Sequence, residues 1–350
     1  MVIQKIQRNA KSALKRGRNL ADDIAYATLY RQPPMVDMQY VTLGRTGLKV
    51  SVMGLGSGGS SQLGLKKGQS DRHAIRLIHH ALDCGINLLD TAKVYGTEAI
   101  IGRAIKGYLR EKIILSTKYP VTIKEGLMSP EKLAHGIDKS LHRLGTDYID
   151  ILHFHGVECH QYDYVLTVLL PVLISAQEAG KIRFIGITEA FSKDTHHQML
   201  TRAVQDDCWD VMMLGFNFLN QSARTQVLVT AQEKNIGVLA MFAVRRALIN
   251  SENLKRTLEN FYGSEQWDPS ILPKDVSLEF LFHDGGATSL TDAAYRYVRH
   301  EPGIHSVLFG TSQFSHLESN IKSLLKPSLS AEDYDRLNAI FGRCKGISGD

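Results

Sequence analysis

Eight short apolar runs, each followed by a stretch of helical periodicity, constrain this chain more than any other feature. The runs fall at residues 50–54, 87–89, 113–117, 148–153, 182–187, 210–214, 237–241 and 305–309. Between them, apolar residues recur at helical spacing, as over 72–83, 130–144 (behind Ser129 as N-cap), 164–179 and 222–234. Gly85, Gly145, Gly180 and Gly237 stand where helices should stop. Such alternation predicts an α/β protein with parallel strands and crossover helices. An open doubly wound sheet that binds a dinucleotide usually carries Gly-x-Gly-x-x-Gly after its first strand. Here the nearest segment, Gly54-Leu-Gly-Ser-Gly-Gly, has the wrong spacing. Eight units therefore favour a closed (β/α)₈ TIM barrel, which folds a chain of this length as one unit.

The rest of the chain decorates that barrel. Residues 38–51 read as a β-hairpin turning at Gly44 to Gly47, and 38–350 as the barrel domain. Residues 249–290 break the rhythm with Gly263, Pro269, Pro273 and Gly285-Gly286, so they read as an elaborated connection between strands seven and eight, over or beside the site. Residues 291–300 should close that unit as a helix; 315–325 and, behind Ser330, 330–341 should form a C-terminal helical extension.

Residues 1–37 form a separate, basic extension. Lys5, Arg8, Lys11, Lys15, Arg16 and Arg18 precede the first acidic residue, Asp22, and Val2, Ile3, Ile6, Ala10 and Leu14 recur at roughly helical spacing. A transit peptide, a membrane-surface or partner-docking helix and a plain solvated extension all fit. The thin apolar face favours the last, with residues 1–34 dispensable for the barrel.

Composition adds exclusions. The net charge of +5, from 41 basic against 36 acidic residues, is too slight to argue for nucleic acid. Four scattered cysteines form no CxxC pair, which points to a reduced, cytoplasmic setting without a cysteine-based metal site. No run approaches the roughly 18 apolar residues of a membrane-spanning helix. Oligomeric state leaves no mark.

Candidate chemistry sits at three successive strand ends. Asp90 ends one run, Lys118 the next, and His155 a third; Tyr95 lies in the loop after the first. Singly, each has an ordinary use: a helix cap, a solvated ammonium, a packed phenol, a satisfied strand-end imidazole. Together they suit proton transfer to a carbonyl. An ammonium beside a phenol should lower the phenol's pKa, and a carboxylate should keep the ammonium charged. Tyr95 is then a general acid, and a neutral His155 can donate to the substrate carbonyl. No side chain supplies hydride, so a nicotinamide cofactor is implied. His153 should face the same side as His155 but deeper, as internal packing. A Schiff-base aldolase using Lys118 is disfavoured because Asp90 opposes the neutral amine.

The chain resembles the aldo-keto reductase family over most of residues 38–325. The matching pieces are the opening Leu-Gly-Arg-Thr-Gly-Leu-Lys-Val-Ser, Asp-Thr-Ala-x-x-Tyr-Gly from Asp90, Ile-Leu-Ser-Thr-Lys to Lys118, and Leu-Gly-Thr-Asp-Tyr-Ile-Asp-Ile-Leu-His-Phe-His to His155. The resemblance implies an oxidoreductase that moves hydride between NADP(H), or less often NAD(H), and an aldehyde, ketone, sugar or alcohol. By position Asp90, Tyr95, Lys118 and His155 match the catalytic tetrad. Gly56, Ser57, Gly58, Asp90, Thr188, Phe216, Gly310, Thr311, Ser312, His316 and Asn320 match cofactor-contacting positions. The sequence also departs from the family pattern. Thr188-Glu189 replaces the usual Ser-Asn, Met213 an expected Gln, and Phe242-Ala-Val-Arg the usual Ser-Pro-Leu-Gly. Arg245 and Arg246 offer a substitute pyrophosphate contact, and His316 stands where an Arg is common. These departures leave an alternative: a catalytically weak nicotinamide-binding regulatory or scaffold barrel.

Overall fold

The computed structural model describes residues 36–264, 267–274 and 276–350. The expected helix within residues 1–34 lies outside them. Among the described residues twelve strands are defined, of which eight close a parallel barrel. In chain order they are β1 (Tyr40–Thr42), β2 (Lys49–Ser51), β3 (Met53–Gly56), β4 (Leu88–Asp90), β5 (Ile114–Pro120), β6 (Thr122–Ile123), β7 (Gly126–Leu127), β8 (Ile149–Val157), β9 (Ile182–Glu189), β10 (Val211–Gly215), β11 (Gly237–Met241) and β12 (Ser306–Phe309). The barrel order is β10-β11-β12-β3-β4-β5-β8-β9, closing between β9 and β10. β1–β2 and β6–β7 are separate antiparallel hairpins.

The expected first strand, 50–54, divides between two elements. Val50 and Ser51 belong to the hairpin and Met53 onward to the barrel. The hairpin plugs the barrel floor: Leu43, Leu48 and Val50 pack against Leu88, Ile114, Ile151, Val211, Met213, Leu239 and Leu308, one apolar layer drawn from seven strands. Burial of such a layer is the main favourable term available to the interior. Arg45 fastens the plug by donating to the Lys234 carbonyl at 2.9 Å.

Helices cover the outside. Ser129 caps Pro130–Leu144 by accepting from the Lys132 amide, and Gly145 ends it in the left-handed region. Before β11 the expected helix stop is displaced. Gly237 is already strand, and Asn235 takes the left-handed turn at φ +52°. The helix expected over 164–179 begins at Tyr162 and carries a wider π turn, Val165–Leu169, ahead of Leu170–Glu178. Pro171 has no amide to give and crowds the preceding turn, which the wider turn accommodates. The 249–290 connection contains the helix Ser251–Tyr262 and a short turn at Glu279–Leu281, followed by the helix Leu290–Arg299. The last two helices are Phe314–Leu325 and Ala331–Phe341. Among the described residues no helix is long and apolar enough to cross a membrane.

Candidate active site

Strand periodicity carries polar groups to one end of the barrel. Ile114 and Ile151 lie in the interior floor. With a period of two, Ser116 and Lys118 on β5, and His153 and His155 on β8, share that inward face farther toward the C-terminal end. The register sets Asp90 beside Ser116, and Lys118 beside His153. Residues from three successive strands thus meet at one corner.

Lys118 is 1% exposed, and its Nζ lies 2.7 and 2.6 Å from the two Asp90 oxygens. It also donates to the Thr91 carbonyl at 2.9 Å, while Ser116 Oγ donates to Asp90 Oδ1 at 2.8 Å. Each buried charge is therefore paired and hydrogen-bonded, the condition under which such a pair survives burial. The Tyr95 hydroxyl lies 3.3 Å from His155 Nε2, the rings edge-on at 88°. A Cβ on Gly58 would collide with the Tyr95 ring, so only glycine lets the β3 loop close over it. His155 follows a break in the β8–β9 register between Phe154 and Val157, a bulge that re-aims the strand end.

The electrostatics differ from the sequence expectation at one point. Burial raises the Tyr95 pKa; Lys118 opposes this but does not reverse it, and Asp90 adds to the rise. The reason is geometric. The phenol is largely removed from water, and Lys118, which hydrogen-bonds Asp90 and Thr91 with its Nζ 5.4 Å from the Tyr95 ring centroid, is partly offset by the Asp90 charge. Tyr95 is thus a neutral phenol, protonated at neutral pH. His155 is pulled down to about 3 by burial and then by Lys118, so it is a neutral imidazole. His153, fully buried, is held uncharged for the same two reasons, as internal packing requires.

The cofactor candidates separate into groups. Gly310 packs against the Gly56 and Gly58 carbonyls, bringing the β3 and β12 loops together. Ser57 Oγ shares a hydrogen bond with Thr97 at 2.7 Å, and its amide donates to the Asp90 carbonyl. Thr311 Oγ1 accepts from the Gln313 amide, and the Ser312 carbonyl faces His73 Nε2 at 2.9 Å. The helix Phe314–Leu325 has no side-chain cap at its start; His316 is exposed and Asn320 half-buried. Thr188 Oγ1 accepts from the Gly156 amide at 2.7 Å. Phe216 is not brought to the mouth: it has no exposed surface and lies in the outer layer against Tyr297 and Arg224. Met213 belongs to the apolar floor. Arg246 is exposed, whereas Arg245 pairs with Asp350.

Sequence reasoning missed the filling of the opposite corner. Glu189 is buried and accepts from His197 Nδ1 at 2.8 Å and from the Gly215 amide at 2.8 Å. Burial raises its pKa, and His197 draws it back. Phe191 stacks on His197 and on Phe242, and Gly215 has no Cβ because Phe191 lies directly over it. Phe242 adopts φ +66°, a left-handed conformation costly for a bulky side chain. His197 lies in a loop with no motif, so no sequence signal could have paired it with Glu189.

Comparison with known proteins decides the lineage. The aldo/keto reductase family profile matches residues 52–341. The chain belongs to the aldo/keto reductase family. It is 30% identical over 316 residues to L-galactose dehydrogenase of Arabidopsis thaliana, covering 87% of this chain and 94% of that one. It is 29% identical to aldo-keto reductase YhdN of Bacillus subtilis, over 87% of this chain and 93% of that one. The fold matches aldo-keto reductase AKR11C1 from Bacillus halodurans in its holo form, with TM-score 0.67 and 24% identity over 87% of this chain and 96% of that chain. The family resemblance, the barrel and the oxidoreductase class expected from sequence therefore stand. Among the described residues no group of three His, Cys, Asp or Glu side chains could hold a metal.

Proposed function

We propose that this aldo/keto reductase reduces a carbonyl, or oxidises the corresponding alcohol, with a nicotinamide cofactor and Tyr95 as proton donor and acceptor. The observation that carries this reading is the 3.3 Å contact between the Tyr95 hydroxyl and a neutral His155, beside the buried Asp90–Lys118 pair. A neutral phenol is the right protonation state to give a proton to a carbonyl oxygen. His155 orients the substrate oxygen at the same point. Asp90 and Lys118 hold fixed charge near it, so little reorganisation accompanies the developing oxyanion.

The residues fit a dinucleotide on two counts. The uncapped start of Phe314–Leu325 leaves backbone amides facing outward, a ready anion site. Gly56, Ser57, Gly58, Gly310, Thr311 and Ser312 form an adjoining loop cluster without bulk, and Arg245 and Arg246 supply cations. Thr188 would contact the nicotinamide end. When bound, the nicotinamide supplies hydride. We expect NADP(H) to bind with only modest preference over NAD(H), because the segment 310–320 carries His316 and hydroxyls rather than Lys or Arg. Similarity to L-galactose dehydrogenase makes L-galactose the leading arm of a substrate screen that also includes other sugars, aldehydes and ketones.

The test is a Tyr95→Phe variant, which should keep its cofactor affinity and lose most of kcat; undiminished turnover would sink the proposal. The second reading, a barrel with weak cofactor binding and a regulatory or scaffold role, draws on the buried Phe216 and the Arg245–Asp350 pair. Quenching of protein fluorescence by NADPH and NADH separates the two, since only the first reading requires binding at micromolar concentrations.

A further inference from the structure

Arg245, at the end of β11, is held by two other parts of the chain. Its side chain is 8% exposed and forms an ion pair with Asp350, itself 51% exposed. The guanidinium lies 4.0 Å over the Phe242 ring, and its two terminal nitrogens stand 3.5 and 3.4 Å from Ser192 Oγ in the loop after β9. The segment bearing Asp350 is itself docked. The Gly349 carbonyl accepts from the Ala247 amide at 3.0 Å, the Lys345 carbonyl accepts from Asn220 Nδ2 at 2.9 Å, and Ile347 is buried. A guanidinium this enclosed needs an anionic partner, and a carboxylate and a phosphate satisfy the same planar fork.

We propose that Asp350 is an internal stand-in for phosphate: the pyrophosphate of a dinucleotide competes with it for Arg245, so ligand binding and docking of residues 345–350 oppose each other. The inference rests on the nicotinamide reading for its ligand, but the competition itself depends only on Arg245 and Asp350. Linkage makes the effect reciprocal: a bound segment weakens the ligand by the same factor by which ligand loosens the segment. The half-exposed carboxylate can leave without disturbing the barrel, whereas Arg245 stays anchored over Phe242.

Three proteins test this as full chains: wild type, Asp350→Asn, and Asp350→Asn combined with Arg245→Gln. Inorganic pyrophosphate and NADPH are titrated into each, and hydrogen exchange follows the Ala247 amide. Asp350→Asn should tighten both ligands about fivefold, the lower end of typical coupling. The Ala247 amide, protected in wild type, should exchange faster when either ligand is bound, and faster in Asp350→Asn without ligand. In the double variant the tightening should vanish. Unchanged affinities in Asp350→Asn, equal tightening in the double variant, or Ala247 protection indifferent to ligand would each overturn the proposal. If pyrophosphate behaves as stated but NADPH binds no variant, the dinucleotide reading fails and the competition stands.

Discussion

The two sides of the barrel mouth are built on opposite principles. Around β4, β5 and β8, polar side chains converge on a point: Asp90, Lys118, Tyr95 and His155 are held by hydrogen bonds, and the Tyr95 ring stays half-buried at the mouth. Around β9, β10 and β11 the space is filled. Glu189 is hydrogen-bonded to His197, Phe191 lies over Gly215, Phe242 stacks on Phe191, and Arg245 caps Phe242. The first side leaves a neutral phenol and a neutral imidazole side by side at the mouth. The second uses the same kinds of residues, an acid, an imidazole and aromatic rings, as packing. Residue type does not separate a site from a plug; what distinguishes them is whether side chains reach the mouth, as Tyr95 and His155 do, or lie buried beneath stacked rings, as His197 does.

That contrast can be broken most directly at Tyr95. Tyr95→Phe should lower kcat by about 10²–10⁴-fold, the usual effect of losing a positioned general acid, with little change in stability. Urea melts run beside the assay separate this from a folding defect. On the filled side the effect should be the reverse. Glu189→Ala leaves His197 buried without its partner and the Gly215 amide unsatisfied, and should cost about 3–5 kcal/mol of stability. A denaturant midpoint equal to wild type would show that this corner is not structural.

A subtler probe sharpens the reactive side. Gly58→Ala pushes on the Tyr95 ring while removing no titratable group, and a displacement near 1 Å should cost about 10²-fold in kcat. If turnover survives, the Tyr95 position is less constrained than the packing indicates. The most gradual effect is a pH dependence. His155 titrates at about 3 in the fold, and an unfolded imidazole at about 6.5, so the unfolded state binds the extra proton between those values. Stability contributed by this group is fully present above pH 6.5 and is lost as pH falls toward 3, at about 1.4 kcal/mol per pH unit. His155→Gln should flatten the stability profile over that window by one proton's worth, and an unaltered slope would place His155 outside the buried, uncharged state.

Sequence legibility followed locality. The eight-fold alternation, the Ser129 cap and the strand ends at Asp90, Lys118 and His155 depend on neighbours a few residues away, and periodicity exposes such relations. The same reasoning placed His153 and His155 on one face of β8 and gave the tetrad as a set. It fell short where burial mattered: Lys118 draws the Tyr95 pKa down as expected, but desolvation of the phenol outweighs it, and only the packing around the ring reveals that. Phe216 shows the same limit, since only the packing of Tyr297 and Arg224 reveals that its ring faces outward.

What the sequence alone determined is the barrel, the family, and the identities of the four residues at one corner, because all of these are written in short-range pattern. The tertiary structure alone decided which acids and imidazoles remain available. Glu189 found His197 across a loop, and Arg245 found Asp350 from 105 positions away. Neither pairing has a helix or strand period behind it; each exists only once the folded chain has brought its two members within hydrogen-bonding reach.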